Sequence, residues 1–251
     1  MLLKNKVAVV TGGAAGIGRG IVEKLASEGA SVVIADLDED RGEGLVQSVQ
    51  DAGGNAWFVP FDAADIESIQ ALAARSIELA GKVDCLVNNA AVTRRIGILD
   101  LTPDDWDWIQ SINTRGLFFC LQTFARHMTE TGGGQIVNIS SVSGKGIKGA
   151  SNASYAASKA AAIVIARIAA NELGRFNINV NSVCPGPVRT ELLQRLIEQD
   201  PGIIAGMEAD SAMGQIADPK DIADVVAFLC SDLAKSVTGQ SINVDYGLIW
   251  D

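Results

Sequence analysis

The chain contains 251 residues, of which 48% are apolar, and its 30 Asp and Glu against 20 Lys and Arg give a formal net charge of -10. This length suits one large α/β domain with its own core, and the composition excludes a disordered or collagen-like chain. The negative charge argues against partners that need a cationic face, such as nucleic acid or an anionic membrane surface.

Short apolar runs alternate with longer helical patterns along the whole chain. Seven strands are predicted, over residues 7–10, 31–35, 56–60, 83–87, 136–139, 178–183 and 241–244. Helices are predicted from the Gly-rich segment 11–18 to Glu28, with Gly29 as C-terminal cap, and over 65–80, 117–130 and 154–173. Thr102 and Asp218, each followed by Pro, predict two further helix starts.

Strands that are apolar on both faces and alternate with helices predict a parallel sheet covered on both sides. We therefore expect a single α/β domain over residues 1–251, a Rossmann-like doubly wound sheet of seven strands that binds ligands at the strands' carboxyl ends. The segment at about 190–213 predicts short helices that form a flap over this edge. Leu192, Leu193, Ile197 and Met207 make that flap partly apolar.

Four cysteines and one histidine limit the possible chemistry. The cysteines lie in apolar runs with no C-x-x-C pair, which predicts buried thiols rather than disulfides. No signal peptide is recognisable and no apolar run approaches the ~20 residues of a membrane span, so we expect a cytoplasmic protein. The cysteines in question are Cys85, Cys120, Cys184 and Cys230.

The single histidine, His127, lies in a predicted helix and is expected to be a surface or core residue. No metal site is expected.

A glycine-rich loop follows the first predicted strand and opens the first helix. Gly12, Gly16 and Gly18 recur as G-x-x-x-G-x-G, one residue longer than the usual dinucleotide loop. A tight turn followed by a helix N-terminus offers amide donors to a pyrophosphate, although a glycine-rich turn without ligand has the same sequence. Asp36 ends the second strand about twenty residues later, where an acid accepts the ribose hydroxyls of NAD.

Tyr155 and Lys159 lie four residues apart and hence on one face of a predicted helix. A free tyrosine ionises near pH 10, and a neighbouring cation lowers that pKa by stabilising the phenolate. The pair therefore indicates acid–base chemistry, and a plain helix-surface pair is the alternative.

These residues belong to six motifs that together resemble the short-chain dehydrogenase/reductase family over the whole chain. Three departures accompany the resemblance: Ala91 and Tyr246 stand where the family commonly has Gly, and Ser143 rivals Ser141 because the spacing to Tyr155 is one residue longer. The motifs are Thr11-Gly-x-x-x-Gly-x-Gly18, Asn88-Asn89-Ala90, Ser111-Ile-Asn113-Thr-Arg-Gly116, Asn138-Ile-Ser-Ser141, Tyr155-x-x-x-Lys159 and Pro185-Gly-Pro-Val-Arg-Thr190.

The resemblance implies hydride transfer between nicotinamide and a carbinol or carbonyl carbon. Tyr155 would be the general acid–base group, Lys159 would lower its pKa and hold the ribose, and Ser141 would bind the substrate oxygen. Asn113 would fix a water in a proton relay. The implied cofactor-binding residues are Gly12, Gly16, Ile17, Gly18, Asp36, Asp62, Ala63, Asn89, Tyr155, Lys159, Val188 and Thr190.

The residues around Asp36 favour NAD over NADP. A 2′-phosphate would bring negative charge beside this carboxylate. Family members that use the phosphate commonly carry Arg or Lys just before the loop's second Gly, where this chain has Ala15, and Leu37 offers no cation either. Arg41 is the remaining nearby cation, and we expect it to pair with residue 38 or 39 of its own helix.

The substrate is predicted less narrowly, as a secondary alcohol, a polyol or a hydroxyketone. Arg94 and Arg95 after the fourth strand could face an anionic substrate or simply be exposed. A 3-oxoacyl-[acyl-carrier-protein] reductase is the alternative enzyme, and a non-catalytic NAD-binding or sensing protein is the alternative of another class. The helix at 156–170 is apolar or small almost all round, so it is expected to pack on a twin in a homotetramer.

Overall fold

The structure, a computed structural model, describes residues 1–146, 151–199 and 202–250. Its strands form one parallel sheet in the order β3-β2-β1-β4-β5-β6-β7. This confirms the predicted Rossmann-like sheet. The strands are β1 (Val7–Thr11), β2 (Ser31–Asp36), β3 (Asn55–Pro60), β4 (Cys85–Asn88), β5 (Gly134–Ile139), β6 (Ile178–Pro185) and β7 (Ser241–Val244).

Helices cover both faces of the sheet, as the apolar strands require. The described helices are α1 (Gly16–Ser27), α2 (Glu39–Asp51), α3 (Ile66–Ala80), α4 (Pro103–Gln110), α5 (Leu117–Thr131), α6 (Ala153–Leu173), α7 (Glu191–Gln199), α8 (Ile203–Ala209) and α9 (Pro219–Cys230). A π-helical segment, Ser111–Gly116, joins α4 to α5. Short 3-10 turns span Val142–Lys145, Gly174–Phe176 and Asp232–Ala234.

Alternating strand residues divide the core into two layers. Ala8 and Val10 of β1 pack with α1, α2 and α9, whereas Val9 between them packs on the opposite face with α3, α5 and α6. The strand order reverses between β1 and β4, because the chain crosses from β3 over the first pair to reach β4. This reversal leaves a crevice at the carboxyl ends of both strands, where doubly wound sheets bind ligands.

Local signals explain most of the element boundaries. Thr102 and Asp105 form a reciprocal capping box at the start of α4, and Asp218 and Asp221 form another at α9, as predicted. Gly29 follows α1 with φ of +91°, a conformation that favours glycine. The structure adds α2, for which the apolar pattern predicts no bounds because the helix is rich in charge and glycine.

The fourth strand begins two residues later than predicted, at Cys85. Asp84 just before it bonds through its backbone to Val7 and Gln135, each at 2.9 Å, and its carboxylate also accepts the Val7 N–H at 2.7 Å. The Val83 N–H donates to Nε2 of His127 at 3.2 Å, so the single histidine supports the fold, in line with its expected structural role. All four cysteines are buried, as predicted.

Helix α6 contains the one stretch of the described residues that is long and apolar enough to cross a membrane by composition. One face of the helix packs against β6 and the sheet, where Ala162, Ala166 and Ala170 are buried. Val164 and Ile168 on the opposite face are more than half exposed. The apolar character of α6 therefore comes from a core face and a second, uncovered apolar face.

Candidate active site

A cavity of about 1260 Å³ opens at the carboxyl ends of the strands. It is lined by the glycine loop, the ends of β2, β4, β5 and β6, the start of α6, and α7 and α8. We refer to α7 and α8 together as the lid. All twelve predicted cofactor-binding residues line this cavity, as do Ser141 and Ser143. Their contact with a cofactor stays a prediction, but the fold brings them to one place.

The glycine loop is shaped by the end of β4. Gly12 has φ of +61°, and a Cβ on it would lie 2.8 Å from the Cα of Ala90. A Cβ on Gly18 would lie 1.9 Å from the carbonyl oxygen of Gly12. Asn89 closes the turn by donating from Nδ2 to the carbonyls of Thr11 and Gly12, at 3.0 and 2.8 Å. Larger residues at the two glycines would displace this backbone.

The start of α1 fits the pyrophosphate of a dinucleotide. Ala15 at the N-cap has no side-chain acceptor, so no cap covers the amides of the first turn. Ile17 and Gly18 in that turn line the cavity. Amide donors and the positive end of the helix dipole then face the space where an anion would lie.

Asp36 lies at the end of β2 and also lines the cavity. Its carboxylate accepts the N–H of Ala14 at 2.9 Å and that of Asp38 at 3.2 Å, which fixes its orientation. Arg41 pairs with Asp38 at 3.4 Å, as expected, and also with Glu191 of the lid at 3.0 Å, which the sequence pattern did not predict.

Ser141, Tyr155 and Lys159 come together where β5 meets α6. Ser141, Tyr155 and Lys159 all line the cavity at this point. Lys159 is buried, and its Nζ donates to the carbonyl of Ile139 at 2.8 Å and lies 5.6 Å from the Tyr155 ring centroid. The hydroxyl of Ser140 donates to the carbonyl of Lys159 at 2.7 Å, so strand and helix are tied at this point.

Ser141 and its rival Ser143 both line the cavity. Ser143 donates its backbone N–H to the hydroxyl oxygen of Ser141 at 3.1 Å. The backbone of Ser143 thus orients the Ser141 side chain, and the role of Ser141 in binding the substrate oxygen stays a prediction.

Burial sets the protonation of the pair in a way that differs from expectation. The pKa of Tyr155 is raised above its ordinary value, because burial disfavours the phenolate more than the neighbouring Ser141 side chain stabilises it. The expected lowering of this pKa by Lys159 is therefore not found in the protein by itself. Burial lowers the pKa of Lys159 to about 8. At neutral pH the Tyr155 phenol is therefore protonated, and Lys159 is an ammonium whose pKa lies close above that pH.

Asn113 is buried and holds the loop that follows β4. Its Nδ2 donates to the Val92 carbonyl at 2.9 Å and to the Ser158 hydroxyl at 3.1 Å, and its Oδ1 accepts the Val92 N–H at 2.8 Å. Both amide protons are thus used. The side chain does not line the cavity. Its predicted contact with a relay water stays a prediction, whereas its observed role is to hold the loop after β4.

The substrate end of the cavity is formed by the lid and by segments from other parts of the chain. Leu193 and Met207 line it as expected, Ile197 does not, and the side chain of Leu192 lies outside the described residues. Arg94 and Arg95 do not line it: Arg94 pairs with Asp105 at 3.0 Å and stacks over Trp108 at 4.4 Å. Ser151, Leu248 and Ile249 also line the cavity, although they belong neither to a predicted motif nor to the predicted flap.

No local signal marks these three residues, because they lie in two separate segments of the chain. Thr93 and Ser151 meet through their hydroxyls at 2.5 Å although 58 positions separate them. Leu248 and Ile249 reach the cavity only because β7 pairs with β6. Among the described residues, no group of three metal-ligating side chains is brought together.

The comparisons with known proteins agree with this site. Residues 12–249 match the family model described as enoyl-(acyl carrier protein) reductase. The chain is 34% identical over 245 residues to the 2,5-dichloro-2,5-cyclohexadiene-1,4-diol dehydrogenase LinX of Sphingobium indicum, covering 98% of this chain and 96% of LinX. It is 35% identical over 252 residues to the 3-oxoacyl-[acyl-carrier-protein] reductase FabG of Thermotoga maritima, covering 99% of this chain and all of FabG.

A solved short-chain dehydrogenase/reductase from Mycobacterium ulcerans superimposes with a TM-score of 0.93 at 29% identity, covering 99% of this chain and 91% of that one. The family model and these relatives identify an oxidoreductase, and its sheet is that of a dinucleotide-binding fold. The chain belongs to the short-chain dehydrogenase/reductase family.

Proposed function

We propose that the protein is an NAD-dependent oxidoreductase that transfers a hydride between nicotinamide and a secondary alcohol or ketone of the polyol or hydroxyketone type. The observation that carries this proposal is that Ser141, Tyr155 and buried Lys159 lie together at the wall of the cavity that the glycine loop also lines. A proton donor and a dinucleotide-sized space then share one cavity. A carbonyl bound there needs only a hydride and a proton to become an alcohol.

Each residue has a distinct task in carbonyl reduction. The bound nicotinamide cofactor supplies the hydride. Ser141 donates a hydrogen bond to the carbonyl oxygen, and Tyr155 gives its proton to that oxygen as general acid. Lys159 stands behind the phenol and stabilises the phenolate that remains. In alcohol oxidation the same phenolate accepts the proton, so one arrangement serves both directions.

Charge at the adenosine end supports NAD rather than NADP. A 2′-phosphate at ~4 Å from Asp36 would meet a repulsion of about 4 kcal/mol per charge pair at an effective dielectric near 20. Exposure to solvent reduces this severalfold, yet about 1.4 kcal/mol is already a tenfold preference. Among the described residues that line the cavity, Lys159 is the only Lys or Arg, and it lies at the catalytic end.

The walls at the substrate end support a neutral, hydroxyl-bearing substrate. Leu193, Met207 and Leu248 contribute apolar surface, and Thr93 and Ser151 contribute hydroxyls. Such walls hold a carbon skeleton and fix one or two hydroxyl groups by hydrogen bonds. The similarity to LinX, whose name describes a cyclic diol dehydrogenase, agrees with this class.

A second candidate is the reduction of 3-oxoacyl groups on a carrier protein, favoured by the full-length similarity to FabG. An acidic carrier needs a basic docking face, and the net charge of -10 opposes this reading. A binding or sensing protein without catalysis is opposed by the complete Ser141, Tyr155 and Lys159 set.

We further propose a cytoplasmic homotetramer. The four buried thiols suit a reducing compartment. The exposed apolar face of α6, with Val164 and Ile168, suits contact with a second copy of the same helix about a two-fold axis. Light scattering at micromolar concentration should give a tetramer, and a strict monomer would contradict the proposed assembly.

The proposed activity is tested by a panel of secondary alcohols, polyols, hydroxyketones and 3-oxoacyl thioesters with NAD(H) and NADP(H), followed by the absorbance of reduced nicotinamide. We expect kcat/KM to be highest for a neutral alcohol or ketone with NAD(H). Highest activity on the 3-oxoacyl thioester with NADPH would favour the carrier-protein reductase. Cofactor binding without turnover on any member would favour the sensing protein.

A further inference from the structure

An ion pair joins the lid to the adenosine end of the cavity. Arg41 lies in the first turn of α2, five residues after Asp36, and Glu191 is the first residue of α7. A guanidinium nitrogen of Arg41 lies 3.0 Å from a carboxylate oxygen of Glu191, and this is a hydrogen-bonded ion pair. It joins residues 150 positions apart across the mouth of the cavity.

The pair matters for the cofactor because of what surrounds it. Asp36, Leu37 and Glu191 line the cavity, whereas Arg41 reaches the cavity wall through Glu191. Asp38 holds the same guanidinium from the other side at 3.4 Å. A guanidinium binds phosphate well, so one beside the ribose would stabilise a 2′-phosphate. Here two carboxylates, those of Asp38 and Glu191, already pair with the guanidinium of Arg41.

We propose that Glu191 is a specificity-determining residue, which disfavours a 2′-phosphorylated cofactor by holding Arg41 away from the 2′ position. This inference rests on the proposed NAD dependence. The lid thereby acts on both ends of the cavity, since Leu193 on the same helix faces the substrate end. Asp36 repels the phosphate directly, and Glu191 removes the cation that would attract it.

The size of the effect follows from the exposure of the pair. Arg41 and Glu191 are each about half exposed or more, and exposed ion pairs contribute modestly and weaken with salt. We therefore expect Glu191→Gln to lower the ratio of the NADPH to the NADH dissociation constant about threefold, and this change to shrink in high salt.

Direct binding measures this without turnover, by titrating NADH and NADPH into the purified protein and following nicotinamide fluorescence. Glu198→Gln is the matched control, because Glu198 lies on the same helix, is exposed, and has no ion pair among the described residues. Arg41→Gln and the double variant Arg41→Gln/Glu191→Gln complete a cycle. If Glu191 acts through Arg41, removing Glu191 should change the ratio only when Arg41 is present.

The outcomes separate the inference from the proposed function. A threefold change in Glu191→Gln that is absent in Glu198→Gln and absent in the Arg41→Gln background supports the inference. A change that persists without Arg41, or that Glu198→Gln reproduces, overturns it, because either result shows a general field effect of the lid acids. A wild type that prefers NADH but does not respond to Glu191→Gln overturns the inference alone. A wild type that binds NADPH more tightly overturns the proposed NAD dependence as well.

Discussion

The two ends of the cavity are built in different ways. At the catalytic end, Lys159 and Ser140 are buried and hydrogen-bonded between β5 and α6, and Asn138 beside them is fully buried. The lid is held instead through exposed ion pairs, such as that of Glu208 in α8 with Arg189 at 2.7 Å. The segments that flank the lid pair through the backbone of Val188 and Ala217. The difference indicates that the chemistry is fixed by a rigid edge, whereas substrate and cofactor choice depend on a region that can change at little cost to the fold.

After Tyr155→Phe, the largest loss of activity at the catalytic end is expected for Ser141→Ala. Ser141→Ala removes the hydrogen bond to the substrate oxygen and should lower kcat/KM about 10²-fold or more. Ser143→Ala keeps the backbone N–H that orients Ser141, so it should stay within a few fold of the wild type. Steady-state kinetics on the best substrate measures both, and the reverse ranking would assign the role to Ser143.

A second prediction tests the burial of Lys159 through stability. The unfolded chain keeps this proton to about pH 10.5, whereas the folded protein releases it near pH 8. Between these values the unfolded state binds more protons, so rising pH should stabilise the folded wild type, by about 3 kcal/mol in all. Chemical unfolding from pH 7 to 10 measures this.

Lys159→Met is the reference for that experiment, because its side chain does not titrate. The wild type should gain stability relative to Lys159→Met as pH rises, and exposed Lys220→Met should follow the wild type. A constant difference between wild type and Lys159→Met across this range would show that the pKa of Lys159 is not lowered.

The third prediction concerns the adenosine end. Asp36→Ala removes the carboxylate that the ribose hydroxyls would meet and should reduce the NAD over NADP preference in kcat/KM about tenfold. Asp40→Ala is a suitable control, since exposed Asp40 does not line the cavity. An unchanged ratio in Asp36→Ala would show that another group selects the cofactor.

The smallest effects are expected in the lid. Leu193→Ala and Met207→Ala each shorten an apolar side chain at the substrate end and should raise the substrate KM about three- to tenfold. NADH binding should not change, because both residues lie away from the adenosine end. Ile197 lies on α7 with Leu193 but does not line the cavity, so Ile197→Ala serves as the control. An equal effect of all three variants would indicate loss of lid structure rather than of substrate contact.

The same contrast explains what the sequence could predict. The rigid edge is built from local patterns: Thr102 caps a helix, Tyr155 and Lys159 share a helix face, and Gly12 permits a positive φ. These features depend on residues a few positions apart. The doubly wound parallel sheet and the position of the cavity at the carboxyl ends of its strands followed from the alternation of strands and helices.

Contacts between distant segments could not be predicted from the sequence pattern. The Arg41–Glu191 pair, the Thr93–Ser151 pair and the approach of Ile249 to the cavity depend on how the sheet brings its ends together. The protonation of Tyr155 was mispredicted for a related reason. Spacing showed a cation nearby, but the burial that opposes ionisation is a property of the folded site.

The most direct test of the account is Tyr155→Phe, assayed for both hydride transfer and NADH binding. This change removes the proton-transferring oxygen and keeps the ring. We expect the kcat of Tyr155→Phe to fall about 10²- to 10⁴-fold, while its NADH dissociation constant and melting temperature stay close to those of the wild type. A Tyr155→Phe protein that keeps near-full turnover would contradict the assignment of Tyr155 as the acid–base group and, with it, the proposed mechanism.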